Sequence, residues 1–472
     1  MYNRLNLIEE QEQSAPVSGA WRRRSNLVSL PESHRSIVVP PQASFWRKLA
    51  AFSGPGFLVA VGYMDPGNWA TDLAGGARFG YTLLCVILIS NFIAMLLQHL
   101  CIKLGVVTER DLAQACRDHY SKTTVIFLWL GCEVAIAACD LAEVVGSAIA
   151  LQLLFGIPLV WGCLITAADV LAVLYLQHRG FRRVEAIVAV LIATIALCFV
   201  SELFLSKPHL PNVLAGFVPQ KKILADPAML YLAIGILGAT VMPHNLYLHS
   251  SIVQTRKFER TGEGMREAIK FGTIDSSAAL MFALFINAAI LVLAASAFHW
   301  SGHQDVAEIQ DAFRLLSPLL GTGAASVLFA VALLASGQNS TLTGTLAGQI
   351  VMEGFLNFRI APWLRRVLTR GLAIIPAVVV IAIFGEKETT QLLIVSQVVL
   401  SMQLGFAVWP LLRFTGEKKK MGKFANGLFI KFLGWTTALI IIALNVKLLF
   451  DTFLPGSLTN PLYRMLGLPE AG

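Results

Sequence analysis

The feature that most constrains this chain is a succession of apolar runs, each about as long as the roughly 20 residues a helix needs to cross a bilayer. They lie near 52–78, 81–104, 123–154, 159–177, 184–205, 229–255, 271–299, 322–354, 367–384, 391–413 and 426–454. No soluble fold needs so many. The chain is 56% hydrophobic and 14% charged, against roughly 25% charged in soluble domains. The expected fold class is an all-α polytopic membrane protein with eleven transmembrane helices, and the longer runs are expected to be tilted or broken.

The basic residues orient the spans. With the N-terminus in the cytoplasm, Arg22-Arg23-Arg24, Arg110, Arg117, Arg182, Arg183, Arg256, Arg260, Arg413 and Lys418-Lys419-Lys420 all fall inside, and few of the 37 Lys and Arg residues fall outside. That asymmetry predicts N-in and C-out and accounts for the net charge of +8 without nucleic acid. Residues 1–40 are polar and carry no apolar signal core. They read as part of a disordered cytoplasmic tail over 1–44, ahead of an interfacial stretch at Phe45-Trp46-Arg47-Lys48. The seven Cys form no CxxC pair and read as small buried hydrophobes. The only Asn-x-Ser/Thr triplet, Asn339-Ser340-Thr341, lies inside a span, which favours a bacterial inner membrane over a eukaryotic surface. Outside, 300–321 has the spacing of a short amphipathic helix. Its Asp305, Glu308 and Asp311 read either as an acidic vestibule that concentrates cations or as a solvated loop.

The first span contains Tyr63-Met64-Asp65-Pro66-Gly67-Asn68. Freed backbone groups in hydrocarbon survive only where protein or a polar cavity satisfies them, and a carboxylate at that depth costs at least about 2.5–3.5 kcal/mol on the insertion scale. Two readings fit: a binding site, or a proline kink whose aspartate pairs with a distant arginine. The sixth span repeats the pattern as Ala239-Thr240-Val241-Met242-Pro243-His244-Asn245. Aligning Pro66 with Pro243 sets Asn68 opposite Asn245 and Asp65 opposite Met242. Two helices broken in this way, one in each five-span half, point to an inverted-repeat transporter with a site at the midplane. Asp65, Asn68, Met242 and the carbonyls just before each break, Gly62 and Ala239, then form a mixed set of oxygens and one thioether. The thioether adds soft character that later first-row metals use and hard cations do not.

Gly54-Pro55-Gly56, Met64-Asp65-Pro66-Gly67-Asn68, Met242-Pro243-His244-Asn245 and Ser336-Gly337-Gln338-Asn339-Ser340 resemble the Nramp family of divalent metal–proton symporters over about residues 45–455. The resemblance implies a leucine-transporter-type fold: two inverted five-helix repeats (45–228 and 229–414) with discontinuous helices 1 and 6, then an eleventh helix and short external tail (415–472). It also implies import of Mn²⁺ or Fe²⁺ with protons. The family's metal ligands carry over to Asp65, Asn68 and Met242, with carbonyls of Gly62 and Ala239, and Gln397 matches a residue that approaches the metal in some states. The sequence departs from the family at Gly62, where Ala is frequent, and at Gly405, where Pro is usual. Relatives specialised for magnesium or aluminium lack the Met of the sixth-span motif, so a transition metal is expected.

Glu133, Asp140 and Glu143 share one face of the third span, since i+7 and i+10 fall about 20° and 80° from the first position. Three such carboxylates either move protons or form a salt-bridge network, for instance with Arg365 or Arg366. By resemblance, Asp140 and Glu143 align with the family's proton route and Arg366 with its partner. His244 and His249 follow the second break and can relay protons near neutral pH. Arg256 reads as a cytoplasmic-end anchor. The expected function is proton-coupled import of Mn²⁺ and Fe²⁺ by alternating access, with the metal as cargo and no cofactor. The expected partners are metal, protons and the bilayer, without an obligatory protein partner. A cation-coupled amine or amino-acid transporter on the same fold is the alternative. An enzyme is not expected, since neither His-Glu-x-x-His nor Gly-x-Ser-x-Gly occurs.

Overall fold

The computed structural model describes residues 21–22, 28–166, 181–302, 308–321, 323–358, 362–384 and 389–453. Short α1 (Phe45–Phe52) leads into α2 (Pro55–Gly62), α3 (Pro66–Phe79) and α4 (Leu84–Thr108), then α5 (Leu112–His119) and the long α6 (Lys122–Phe155). After α7 (Phe181–Ser206) and α8 (Leu210–Gly216) come α9 (Pro227–Thr240), α10 (Pro243–Ile252) and α11 (Gly262–Ala294). The chain continues through α12 (Ile309–Leu320), α13 (Ala324–Leu356), α14 (Pro362–Phe384), α15 (Thr389–Gly416) and α16 (Leu428–Phe453). Eight helical stretches among the described residues are long and apolar enough to cross a membrane. The expected first span is two pieces, the expected fourth lies mostly outside the described residues, and α14 holds only a shorter apolar helix, Ile374–Ile383.

Proline sets both breaks. Pro66 and Pro243 each occupy the first helical position of the segment after a break, with Asp65 and Met242 as the residues flanking it. Proline lacks an N–H, so it starts a helix readily and cannot continue one. The broken pieces are central: α11 packs against α2, α3 and α4, while α9 packs against α3 and α15. Around them, α6 packs against α13, α14 and α15, and α16 lies outside against α15.

The segment expected to be a disordered tail is docked from residue 28. Ile37–Val38 pairs in parallel with Arg256–Lys257. Ser29 Oγ lies 2.6 Å from both Asp111 Oδ2 and Ser251 Oγ, and Trp21, Leu30 and Val39 are buried. These few apolar side chains, spaced without helical or strand period, find partners only in the finished fold. The segment expected outside does form an amphipathic helix, α12, with Ile309, Ala312 and Leu316 buried. Glu308 accepts hydrogen bonds from Thr389 and Thr390, which ties the N-terminal end of α15 to this helix. Its carboxylate is therefore structural; Asp311 is half exposed beside Arg314, and Asp305 lies outside the described residues.

Candidate metal centre

In an α-helix each carbonyl accepts from the N–H four residues on. Four residues after Gly62 stands Pro66, and four after Ala239 stands Pro243; neither has an N–H to give. The two prolines thereby free the Gly62 and Ala239 carbonyls at the C-terminal ends of α2 and α9. Those are the negative ends of both half-helix dipoles. Asp65 caps α3, accepting from Asn68 N at 2.8 Å, so its charge rests on a helix N-terminus.

These oxygens converge. Asn68 Nδ2 lies 2.8 Å from Asp65 Oδ1, 3.2 Å from Ala239 O and 3.4 Å from Gly62 O. One amide nitrogen with two hydrogens thus faces three acceptors drawn from two broken helices. Asn68 Oδ1 accepts from Asn287 Nδ2 at 3.3 Å, and Asn287 Nδ2 also reaches Tyr63 O at 2.8 Å. Asp65, Asn68, Ala239 and Met242 are all essentially inaccessible to solvent.

Met242 completes one wall. It packs with Ala135, Cys139 and Leu400, and a Cβ added to Gly62 would stand 3.2 Å from its Sδ. The same Cβ would overlap the Asn245 amide, so the alanine frequent here in the family requires Asn245 to move. Gln397, on α15, lies against Gly67 so closely that any side chain there would overlap its amide. Its Nε2 donates to Ser396 Oγ at 2.9 Å, and its buried Oε1 has no partner among the described residues. Ser336 Oγ donates to Met64 O in the unwound turn. Among the described residues no group of three His, Cys, Asp or Glu side chains could hold a metal ion. A donor set here consists of one carboxylate, an amide, a thioether and main-chain carbonyls.

The carboxylates of α6 lie beside this set. Cys139 Sγ stands 3.9 Å from Asp65 Oδ2 and 3.7 Å from Glu143 Oε1, within reach of both. Glu143 accepts from Ser340 Oγ at 2.8 Å and Thr341 Oγ1 at 3.2 Å. Gly344 leaves space for Asp140 and Glu143 together: a Cβ there would sit 3.4 Å and 2.9 Å from their oxygens. Glu133, two turns away, is half-buried and accepts from Trp129 Nε1 at 2.9 Å. The side chains of Arg365 and Arg366 lie outside the described residues.

A second polar line leaves the site through Tyr63. Its hydroxyl accepts from Gln98 Nε2 at 2.7 Å, and Gln98 Oε1 lies 2.8 Å from His249 Nδ1. His244 is buried, and its Nδ1 has no partner among the described residues. Arg256 does more than anchor a helix end. It is buried, pairs with Glu185 at 2.8 Å and donates to Ser53 O at 2.6 Å and Ala51 O at 3.2 Å. Asp275 accepts from Gly56 N at 2.7 Å and Gly54 N at 3.2 Å. Sequence reasoning missed Cys139, Asn287, Gln98, Glu185 and Asp275. Asn287 had a signal, a lone amide within an apolar run. Cys139, four residues before Glu143, carried a helical spacing that a thiol does not advertise.

Two broken helices whose free carbonyls converge with one carboxylate on the Asn68 amide define the class as a multi-pass helical membrane transporter. A family model described as natural resistance-associated macrophage protein-like matches residues 56–451, and the chain belongs to that Nramp family. A Nostoc divalent metal cation transporter, MntH, is 63% identical over 427 residues, covering 90% of this chain and 97% of that protein. The Eremococcus coleocola manganese transporter, solved with an aromatic bis-isothiourea substituted compound, superposes with a TM-score of 0.84 at 40% identity, covering 93% of this chain and 95% of that one. MhsT, solved with L-phenylalanine, matches at 12% identity with a TM-score of 0.57, covering 84% of this chain and 98% of that one; it shares the leucine-transporter-type fold alone.

Proposed function

We propose that this protein imports divalent transition-metal ions, Mn²⁺ and also Fe²⁺, together with protons, by alternating access across a bacterial inner membrane. The observation that carries the reading is the convergence of Asp65 Oδ1, Gly62 O and Ala239 O on one point at 2.8–3.4 Å. A cation at that point supplies what one amide group cannot, charge for three acceptors at once. Asn68 then turns its amide to offer oxygen, and Met242 supplies the soft donor that disfavours calcium and magnesium. Gln397 stands at the rim. The names of the relatives agree with a divalent metal cargo.

Protons travel in the same cycle. A proton on Asp65 is displaced when the cation arrives. Cys139, in reach of Asp65 and Glu143, passes it on by giving its own thiol proton to Glu143 and taking one from Asp65. Asp140, Glu133 and Arg366 continue this route, and His244 and His249 line the inward side. The two halves, 45–228 and 229–414, rock against each other with the N-terminus inside and the C-terminus outside, while 415–472 stays peripheral. Inward opening requires α2 to leave the Arg256–Glu185–Asp275 group that holds its start.

On the same architecture, Asp65 at the N-terminus of α3 suits a substrate carboxylate poorly, so an organic-solute transporter built this way would favour an amine. Proteoliposomes with an imposed pH gradient separate the two. Uptake of Mn²⁺ accompanied by proton entry supports metal symport; uptake of amines or amino acids without Mn²⁺ flux overturns it.

A further inference from the structure

We infer that the cleft between α6, α15 and α16 is a binding site for one anionic phospholipid, drawn from the leaflet on the side of the basic loops. The cleft encloses about 910 Å³, within the roughly 300–1,000 Å³ of well-formed ligand pockets. Phe127, Val134, Met402, Phe406 and Leu449 make its walls greasy and open. Gly131 and Gly405 keep side chains out of its floor: at Gly405, α15 and α16 come so close that a Cβ would stand 3.3 Å from Ile442. Gly405 is the position where the family usually carries proline, and the metal site gives it no task.

The dimensions fit one leaflet. Along α15 the lining runs from Pro410 to Val399, and eleven steps of about 1.5 Å give about 16 Å. Half of a hydrocarbon core of about 30 Å is about 15 Å. At the end of this groove nearest the basic loops the chemistry changes as it does at a membrane surface. Trp409 and Trp435 meet edge to face at 4.8 Å, with Tyr120 beside them in the lining, a belt of the kind that sits at headgroup depth. Just beyond are the cations. Arg413 lies on the α15 face of Phe406, seven residues on, and Lys431 on the α16 face of Ile442, eleven residues before. Glu417, 3.4 Å from Arg413 and also paired with Lys420, is the acidic group at this mouth. Lys122, Lys418 and Lys419 are exposed nearby and leave a positive excess. A phosphate beside Arg413 and Lys431 places acyl chains down the groove.

The inference uses the membrane class of the fold and not the cargo, so it stands or falls apart from metal transport. The test is native mass spectrometry of the full-length protein, loaded with phosphatidylglycerol or phosphatidylcholine of identical chains. Wild type is expected to retain one phosphatidylglycerol under conditions that strip phosphatidylcholine. The Arg413→Gln/Lys431→Gln double variant is expected to lose that preference by about 25-fold, about fivefold per basic group at a membrane surface. Gly131→Leu puts a side chain into the groove, where a Cβ makes only an ordinary contact with Gln403 at 3.7 Å, and is expected to remove the retained lipid of either kind. Equal retention of both lipids by wild type, or undiminished phosphatidylglycerol in the double variant, overturns the proposal. Size-exclusion profile and Mn²⁺ uptake establish that each variant is folded, and the surface double variant keeps the test decisive if a filled groove misfolds.

Discussion

Changing Glu185 to glutamine probes the buried group at the start of α2, whose release the proposed transport cycle requires. Glu185 lies between two guanidiniums, Arg256 at 2.8 Å and Arg182 at 3.1 Å, and is almost fully buried. Both arginines also hold the carbonyls of the α1–α2 turn: Arg256 reaches Ala51 and Ser53, and Arg182 reaches Ala50, Ala51 and Ser53. Burial draws the Arg256 guanidinium below its ordinary value, and the Glu185 charge opposes that shift. Glutamine keeps the shape and one hydrogen bond but leaves the buried Arg256 and the half-exposed Arg182 without their shared carboxylate. Removing one partner of a buried pair costs about 3–5 kcal/mol. The retained carbonyl acceptors and Asp275 place this case at the low end, about 3 kcal/mol, and Arg182 is half exposed to water. That shifts the balance between closed and released α2 by about 150-fold. Spin labels at Trp46, exposed on α1, and Lys122, exposed at the start of α6, report the change by double electron–electron resonance. Glu185→Gln is expected to populate a longer distance. Superimposable distributions for variant and wild type would refute the idea that this group gates α2.

Met242→Ala should keep Mn²⁺ uptake while admitting more Ca²⁺; competition assays that show unchanged selectivity would remove the thioether from the donor set. Glu143→Gln should leave Mn²⁺ binding within a few-fold of wild type and abolish most metal-driven acidification of the vesicle lumen. Cys139→Ala should slow acidification less, since water can bridge Asp65 and Glu143, and full acidification in Glu143→Gln would redirect the proton route. The docked segment 28–44 should respond to pH through Asp111, which burial pushes up to about 6 despite the Ser29 hydroxyl. A carboxyl raised from about 4 favours the folded state fully below pH 4, and loses that stabilisation as pH rises through 6. His34, in the same segment, is held below its ordinary value by burial and titrates with the opposite effect, so hydrogen exchange, corrected for intrinsic rates, is compared in a His34→Gln background: residues 28–44 should be more protected at pH 5 than at pH 7.5, and alike once Asp111→Asn is added. Equal protection at the two pH values in His34→Gln would contradict this.

The two breaks were legible because proline and a membrane carboxylate break strong local rules. Gly62, Asp65, Asn68 and Ala239 come together in space because each break frees a carbonyl for the same reason. Asp140 and Glu143 share a face by helical arithmetic alone. What stayed hidden depends on packing between distant spans. Cys139 looks apolar until α6 sets it between Asp65 and Glu143. Gln98 and Tyr63 come from different spans and mean nothing until His249 stands beside them. Arg256 resembled an ordinary helix-end cation, because the carboxylate it meets lies on α7. The docked tail escaped notice since Trp21, Leu30 and Val39 have no common period. Of the eleven expected spans, the first is divided by its break, the fourth lies mostly outside the described residues, and α14 carries only a shorter apolar stretch.

The most direct measurement is anomalous diffraction at the manganese edge from crystals grown with Mn²⁺. A single peak within coordinating distance of Asp65, Asn68, Met242 and the Gly62 and Ala239 carbonyls is the expected result, lost in Asp65→Ala. A peak on Asp140 and Glu143, or one that persists unchanged in Asp65→Ala, would contradict the assignment of the broken helices as the metal site.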